Sequence, residues 1–139
     1  MIMPMEYQLA SQDFERFLAD ARDISMLATR NQTYTMVQGV LQVFRRRLDL
    51  RDALRFADVL PPVLRAIFVA DWDPDEARLP FEDRAAMARE VQALRGNHNL
   101  SPDTAISDVA AALRKNVDVA AFEALLATLP QGARDFWHA

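Results

Sequence analysis

The sequence repeats itself at a spacing of 69 residues. When it is shifted by that amount, residues 35–68 align with residues 104–137 without a gap. Seven of the 34 aligned positions are identical: Thr35/Thr104, Val40/Val109, Arg45/Arg114, Asp49/Asp118, Leu60/Leu129, Pro61/Pro130 and Arg65/Arg134. Because a repeat at fixed spacing determines architecture before any local motif does, the chain is predicted to contain two copies of one folding unit.

Each copy is predicted to contain four helices, because apolar residues recur in it at helical spacing. In the first copy Asn31 is predicted to break or cap the chain, Asp49 to cap the third helix, and Pro61 and Pro62 to stop that helix and open a short fourth. The predicted buried positions of its first three helices are Phe14, Phe17, Leu18, Ala21, Ile24 and Leu27, then Val37, Val40, Leu41, Phe44 and Leu48, then Leu50, Ala53, Phe56, Ala57 and Leu60.

The second copy follows the same order, with Ser101-Pro102 predicted to cap and open its second helix, Asp118 to cap its third and Pro130 to open its fourth. The predicted buried positions of its first three helices are Phe81, Ala85, Ala88, Val91 and Leu94, then Ile106, Val109, Ala110, Leu113 and Val117, then Val119, Phe122, Leu125, Leu126 and Leu129.

The predicted fold is an all-α, single-domain helical bundle made of two tandem, pseudo-symmetric four-helix repeats. Residues 1–10 are predicted to be a flexible tail and residues 11–139 the domain, with repeat one at about 12–70, an acidic linker at 71–80 and repeat two at about 81–138. A copy of about 60 residues with one apolar stripe per helix needs a partner to cover that stripe. We therefore expect the copies to pack against each other across a pseudo-twofold axis.

The composition is typical of a helical protein that is not secreted. The chain has 139 residues with three glycines, no cysteine and a formal net charge of −4. We therefore expect no disulfide and no thiolate metal site, and the acidic balance argues against nucleic-acid binding through phosphate contacts. The chain shows neither a signal peptide nor a run of about 20 apolar residues, so we expect a cytoplasmic protein without a membrane partner.

Two corresponding segments carry a family resemblance. Residues 60–68, Leu-Pro-Pro-Val-Leu-Arg-Ala-Ile-Phe, are followed by Asp71-Trp72, and residues 129–137 repeat the pattern as Leu-Pro-Gln-Gly-Ala-Arg-Asp-Phe-Trp. Together they resemble the signature of the bacterial domain of unknown function numbered 2267, over roughly residues 12–138. The resemblance implies an all-helical, internally duplicated bacterial protein, and it brings no activity and no catalytic residues. Gly132 and Ala133 are smaller than the residues usual there, so the last helix is expected to pack less tightly than its counterpart.

The linker offers a candidate cation site. Asp71, Asp73, Asp75 and Glu82 match the acidic positions 1, 3, 5 and 12 of a calcium-binding helix-loop-helix. Glu76 stands where that motif needs glycine, Arg78 stands where it prefers an apolar residue, and two prolines stiffen the loop. The alternative is a solvated acidic linker between the repeats.

A basic cluster is the second candidate site: Arg45, Arg46, Arg47, Arg51 and Arg55 are five of the sixteen cationic residues. They could bind an anion or an acidic partner, or they could simply stabilise the C-terminal end of the second helix. Likewise, Arg65 and Arg134 could form a symmetric pair at one groove, or each could lay its stem on the core.

Catalytic residues are not indicated. His98 and His138 lie near no nucleophile and in no metal-ligand spacing, and the chain has no glycine-rich phosphate loop. We therefore predict no cofactor and favour a non-catalytic helical module that binds another protein or itself. Trp72, Phe136 and Trp137 are candidate exposed apolar residues, although a core role is favoured for Trp137. The alternative is a domain that binds a small ligand or a divalent cation through the linker carboxylates or the groove between the repeats.

Overall fold

A computed structural model describes residues 2–94 and 100–138 of the chain. The described residues form helices joined by turns and contain no β-strand, so the all-α prediction is confirmed. The helices are α1 (Met5–Gln8), α2 (Ala10–Ser25), α3 (Arg30–Arg45), α4 (Leu50–Asp58), α5 (Pro62–Val69), α6 (Arg84–Ala93), α7 (Ala105–Arg114), α8 (Val119–Leu126) and α9 (Gln131–Phe136). None of the helices in this part of the chain is long and apolar enough to cross a bilayer.

The predicted caps of the third helix in each copy are confirmed. The Asp49 carboxylate accepts a hydrogen bond from the backbone N–H of Asp52 at 2.8 Å, and the Asp118 carboxylate accepts one from Ala121 at 3.1 Å. Each bond satisfies one of the amides that the first turn of a helix leaves unpaired. Pro62, which has no N–H to lose, occupies the first position of α5.

Two predicted helix starts are wrong, those at Asn31 and at Ser101, and a third helix, α6, has a cap that was not predicted. Asn31 lies inside α3, because Thr29 and the side chain of Gln32 form a capping box two residues earlier. In the second copy α7 begins at Ala105 rather than after Ser101, and α6 begins after Asp83, whose carboxylate caps it. In each case a side chain or turn that was not predicted takes up the free amides.

The core is continuous across both copies. The first helix of copy one, α2, packs most extensively on α7 of copy two, while α3 packs on α6. Phe136 and Trp137 are completely buried. The prediction of an exposed Phe136 is therefore wrong, whereas the core role favoured for Trp137 is confirmed. Trp137 lies among four phenylalanine rings with centroid distances of 5.1–6.1 Å, namely Phe44, Phe56, Phe122 and Phe136.

The N-terminal residues form a short helix but are mostly exposed. The predicted tail includes α1 and the first residue of α2, and no residue of α1 is buried. Arg65 on α5 reaches this segment, donating to the Tyr7 hydroxyl at 3.4 Å and lying 3.7 Å from the Glu6 carboxylate. The flexibility of residues 1–10 stays a prediction.

The expectation of looser packing in the last helix is wrong at Gly132. The ring of Phe81 fills the space beside this glycine, and a Cβ atom built there would lie 2.5–2.7 Å from the Cβ, Cγ and Cδ2 atoms of Phe81. The missing side chain is therefore replaced by an aromatic ring from the segment before α6, and not by a void.

Gly132→Ala is expected to lower the free energy of unfolding by about 1–3 kcal/mol, because overpacking must displace the root of the Phe81 side chain. Gly39→Ala is the matched control. The atom nearest to a Cβ built at Gly39 is a side-chain carbon of Val91 at 3.1 Å, and alanine is more favourable than glycine in a helix interior by roughly 0.5–1 kcal/mol. Chemical denaturation of both variants checks this. Equal stability of Gly132→Ala and the native chain would contradict the tight contact.

Candidate functional site

The five arginines of the predicted basic cluster do not share one surface. Arg45 and Arg47 are buried at the end of α3, and Arg46 between them is half-buried. Arg51 and Arg55 lie on α4, where Arg51 is exposed and has no ion-pair partner among the described residues. Arg55 is half-buried, lies 3.5 Å from the Asp52 carboxylate and donates to the Thr128 hydroxyl at 2.6 Å, so Arg51 is the more freely exposed of the two arginines of α4.

Arg45 joins the end of α3 to the end of α5. Its Nη1 donates to the carbonyl oxygens of Phe68 and Ala70, both at 2.9 Å, and its guanidinium carbon lies 5.4 Å from the centre of the Trp72 ring. Burial lowers the pKa of the Arg45 guanidinium below its usual range. The group nevertheless remains a cation at neutral pH, because arginine starts from so high a value.

A similar contact occurs 69 residues later. Arg114 donates to the Trp137 carbonyl oxygen through Nε at 3.1 Å and Nη2 at 2.8 Å. Its guanidinium carbon lies 5.3 Å from the centre of the Phe122 ring. Both arginines therefore bind the carbonyl at the end of the last helix of their own copy, although they do so with different nitrogens.

Arg47 forms a buried ion pair with the second copy. Its side chain is fully buried and donates to Glu90 Oε2 at 2.7 Å, Glu82 Oε2 at 3.3 Å and the Pro80 carbonyl at 3.0 Å. Arg46 donates to the other oxygen of Glu90 at 2.9 Å. The residues 71–80 that were predicted as a linker are thus held at their far end by Arg47, which lies just after α3.

Glu90 makes stability depend on pH in a predictable direction. Burial opposes its charge, but the hydrogen bonds from Arg47 and Arg46 prevail and hold its pKa below the ordinary value of 4.5. The unfolded chain therefore binds more protons near that pH, so this contribution is complete above about pH 4.5 and is lost as the pH falls through the lowered pKa.

Glu90→Gln is therefore expected to flatten the loss of stability on acidification below about pH 4.5, and to be less stable than the native chain at pH 7. Burial raises the pKa of Asp108, so its contribution to stability changes with pH in the opposite direction. Because Asp108 is present in both proteins, this contribution cancels when their stabilities are compared. Urea denaturation as a function of pH measures the difference. Parallel stability curves for the two proteins would contradict the assignment.

The four acidic residues of the candidate cation site are not brought together. Glu82 pairs with Arg47, and one Asp73 oxygen accepts from the backbone N–H of Asp75 at 3.0 Å. Asp71 has a left-handed backbone with φ of 54°. Within residues 2–94 and 100–138, no three His, Asp or Glu side chains cluster in a way that could hold a metal ion. Calcium binding stays a prediction, and nothing in this geometry supports it.

The segment after α5 encloses a cavity of about 260 Å³ against the end of α3 and the start of α4. The Leu79 N–H donates to the Arg46 carbonyl at 3.0 Å, and Glu76 lies 3.6 Å from Arg46 Nε. On the other side, Arg78 lies 3.9 Å from the Asp49 carboxylate. Trp72, expected on an exposed face, is half-buried and lines this cavity. The acidic linker and the basic cluster therefore meet at one place, which neither motif indicated separately.

One side of α4 is apolar and uncovered. Leu50, predicted to be buried, is 52% exposed, and Leu54, one turn later on the same side, is 53% exposed. The helix buries Ala53, Phe56 and Ala57 instead, so both leucines lie beside the contact stripe rather than on it. Leu54 was missed, although a leucine outside the apolar stripe of an amphipathic helix is a usable signal.

The remaining candidates are Arg65, Arg134 and the two histidines. Arg65 donates to the carbonyl oxygens of Ala57 at 3.1 Å and Leu60 at 3.0 Å, as a structural arginine would. Arg134 is exposed and makes no comparable bond among the described residues. His138 is an exposed residue near the C-terminus, and His98 lies outside the described residues.

Comparison with known proteins gives a family and no activity. No curated protein matches the sequence. Residues 14–136, which span α2 to α9, match the family described as "Uncharacterized conserved protein (DUF2267)". Because the match covers nearly the whole folded part of the chain, the protein belongs to the DUF2267 family.

Proposed function

We propose that this protein is a non-catalytic binding module that recognises an acidic and apolar segment of another protein on the exposed side of α4. The observation that carries the proposal is the pair Leu50 and Leu54, both more than half exposed and one turn apart on a helix that buries Ala53, Phe56 and Ala57. Apolar surface grouped in this way on a soluble domain marks interaction sites more often than isolated exposed residues do.

The positive charge beside the two leucines indicates that the partner segment is acidic. Arg51 and Arg55 lie on the same side of α4, and Arg51 has no carboxylate partner among the described residues. A segment with apolar residues facing the leucines and acidic residues facing the arginines would complement both features. A second copy of this chain fits less well, because a twofold contact would bring the same arginines towards one another.

The proposed surface is specific to the first copy. At the positions 69 residues after Leu50, Arg51, Leu54 and Arg55, the second copy has Val119, Ala120, Glu123 and Ala124. Val119 is 44% exposed, but it has neither a second exposed leucine nor an arginine beside it. It therefore provides a matched control for the apolar character of α4.

Selection from a displayed library of random 16-residue peptides tests the proposal. We expect binders enriched in acidic and large apolar residues, whose affinity falls at least about tenfold in Leu50→Asp/Leu54→Asp and stays within about twofold in Val119→Asp. Both sites are exposed, so all variants should keep the native melting temperature. Binders that ignore the α4 substitutions, or a library without binders, would overturn the proposal.

The same proposal includes an origin by internal duplication. It is supported by the seven identities at one spacing and by the corresponding contacts of Arg45 and Arg114. The helix pairs α2–α7 and α3–α6 are those that exchange of the two copies by a twofold rotation would give. Loss of the leucine and arginine pattern from the second copy would then have left a single binding face. The cytoplasmic location and the lack of nucleic-acid binding stay predictions.

A further inference from the structure

A second site is indicated by the cavity between the end of α3 and residues 72–78, and it stands even if the α4 side binds nothing. Arg45 lines this cavity and is 6% exposed as a residue. Its guanidinium uses only Nη1, which donates to the Phe68 and Ala70 carbonyls. The N–H groups on Nε and Nη2 have no acceptor among the described residues, so they are available to water or to a ligand.

The unused edge of Arg45 remains open to a ligand. Among the described residues, Trp137 Nε1 is the buried side-chain polar atom without a hydrogen bond, so Arg45 Nε and Nη2 are not sealed from solvent. In the second copy the same edge of Arg114 is occupied, since both its Nε and its Nη2 donate to one carbonyl oxygen. The equivalent edge in the first copy therefore has the geometry to bind oxygen but lacks a protein oxygen to bind.

The surrounding charges define what could enter. The two other arginines of the cavity have carboxylate neighbours within 4 Å, since Arg46 lies near Glu76 and Arg78 lies near Asp49. Arg45 has no carboxylate within 4 Å among the described residues, and Glu76 and Asp71 act on its charge only from farther away. Because Asp49, Asp73 and Glu76 also line the cavity, a multiply charged anion such as phosphate would be repelled.

We propose that this cavity binds a small monocarboxylate, held by two parallel hydrogen bonds from Arg45 Nε and Nη2 with its carbon chain against the Trp72 ring. Parallel N–H groups on one edge of a guanidinium match the two oxygens of a carboxylate. The volume of about 260 Å³ lies just below the range of roughly 300–1,000 Å³ typical of sites for larger ligands. The carboxylate could belong to a free acid or to the C-terminus of a protein.

Titration with sodium propionate, followed by the NMR signal of the Trp72 indole N–H, tests this site. Propionamide has the same shape without the charge, and sodium chloride controls for ionic strength. We expect a saturable shift with propionate alone. Binding should weaken at least about tenfold in Arg45→Lys, which loses the pair of parallel N–H groups. It should stay within about twofold in Arg134→Gln, an exposed residue that does not line the cavity.

A second variant keeps the test decisive if Arg45→Lys fails to fold. Ala77 is an exposed residue that lines the cavity, so Ala77→Leu should fill the space and weaken propionate binding without unfolding the chain.

An N-acetylated tripeptide with a free C-terminus, compared with its amide, distinguishes the two possible sources of the carboxylate. Tighter binding of the peptide acid points to a protein terminus, and tighter binding of propionate points to a free acid. No shift with either acid, equal shifts with propionamide, or unchanged binding in Ala77→Leu would overturn the site.

Discussion

Trp137→Ala is expected to lower the free energy of unfolding by about 3–5 kcal/mol, the usual cost of removing a large aromatic side chain from a core. Trp137 is completely buried and contacts phenylalanine rings from α3, α4, α8 and α9. Its removal would open a cavity at the point where both copies meet. For a chain of this size the loss corresponds to a fall in melting temperature of roughly 10–20 °C by differential scanning calorimetry.

Trp137→Phe separates ring packing from the polar part of the indole. The Nε1 of Trp137 is buried without a hydrogen-bond partner among the described residues. An unsatisfied buried donor costs about 1–3 kcal/mol, so losing it offsets the smaller ring of phenylalanine. We expect Trp137→Phe to lie within about 1.5 kcal/mol of the native chain. A phenylalanine variant as unstable as the alanine variant would mean that the indole N–H has a partner after all.

Arg47→Met is expected to cost about 3–5 kcal/mol, because removing one member of a buried ion pair leaves Glu90 with only the partly exposed Arg46 as a partner. The Arg47 side chain is fully buried and binds Glu90, Glu82 and the Pro80 carbonyl. Methionine would fill most of the volume but satisfy none of these groups. Urea denaturation monitored by circular dichroism gives the difference in unfolding free energy.

Arg46→Met is the matched control for Arg47→Met. Arg46 also pairs with Glu90, but its side chain is 26% exposed and water can replace it, so we expect a cost of at most about 1 kcal/mol. The double variant Arg47→Met/Glu90→Met should be more stable than Arg47→Met alone, since it removes the stranded charge. If Arg46→Met and Arg47→Met were equally destabilising, burial would not be the cause.

The helices could be predicted because their apolar stripes and turn residues agree. Asp49, Asp118 and Pro62 perform the predicted local roles. Helix starts failed where several residues compete for the same free amides: Thr29 with Gln32 displaced Asn31 because that pair satisfies two donors at once. Local sequence contains the candidates for a cap, but tertiary context decides among them.

Burial was predicted well in the middle of each stripe and poorly at its ends. Leu50 and Val119 continue the stripes of α4 and α8 in sequence, but each is the first residue of its helix and remains exposed. A stripe indicates which side of a helix faces the core, and not how far the neighbouring helices extend along it. The exposed leucines, on which the proposed function depends, could therefore be found only from the packing.

The arginine cluster illustrates why a site is harder to predict than a fold. Arg45, Arg46 and Arg47 are consecutive, but helical geometry separates them by about 100° each, and the chain then folds different partners onto each one. Sequence indicated five cations. It could not indicate that Arg45 and Arg47 are buried or that one edge of Arg45 lacks an acceptor among the described residues.

The most direct test of the central claim is an NMR map of backbone amide shifts with a peptide selected against the whole chain. If α4 is the recognition surface, the largest shifts should lie at Leu50–Arg55, and Leu54→Asp should abolish them while Val119→Asp leaves them in place. Shifts centred on α8 and α9, or shifts unaffected by Leu54→Asp, would contradict the assignment of α4 as the binding surface.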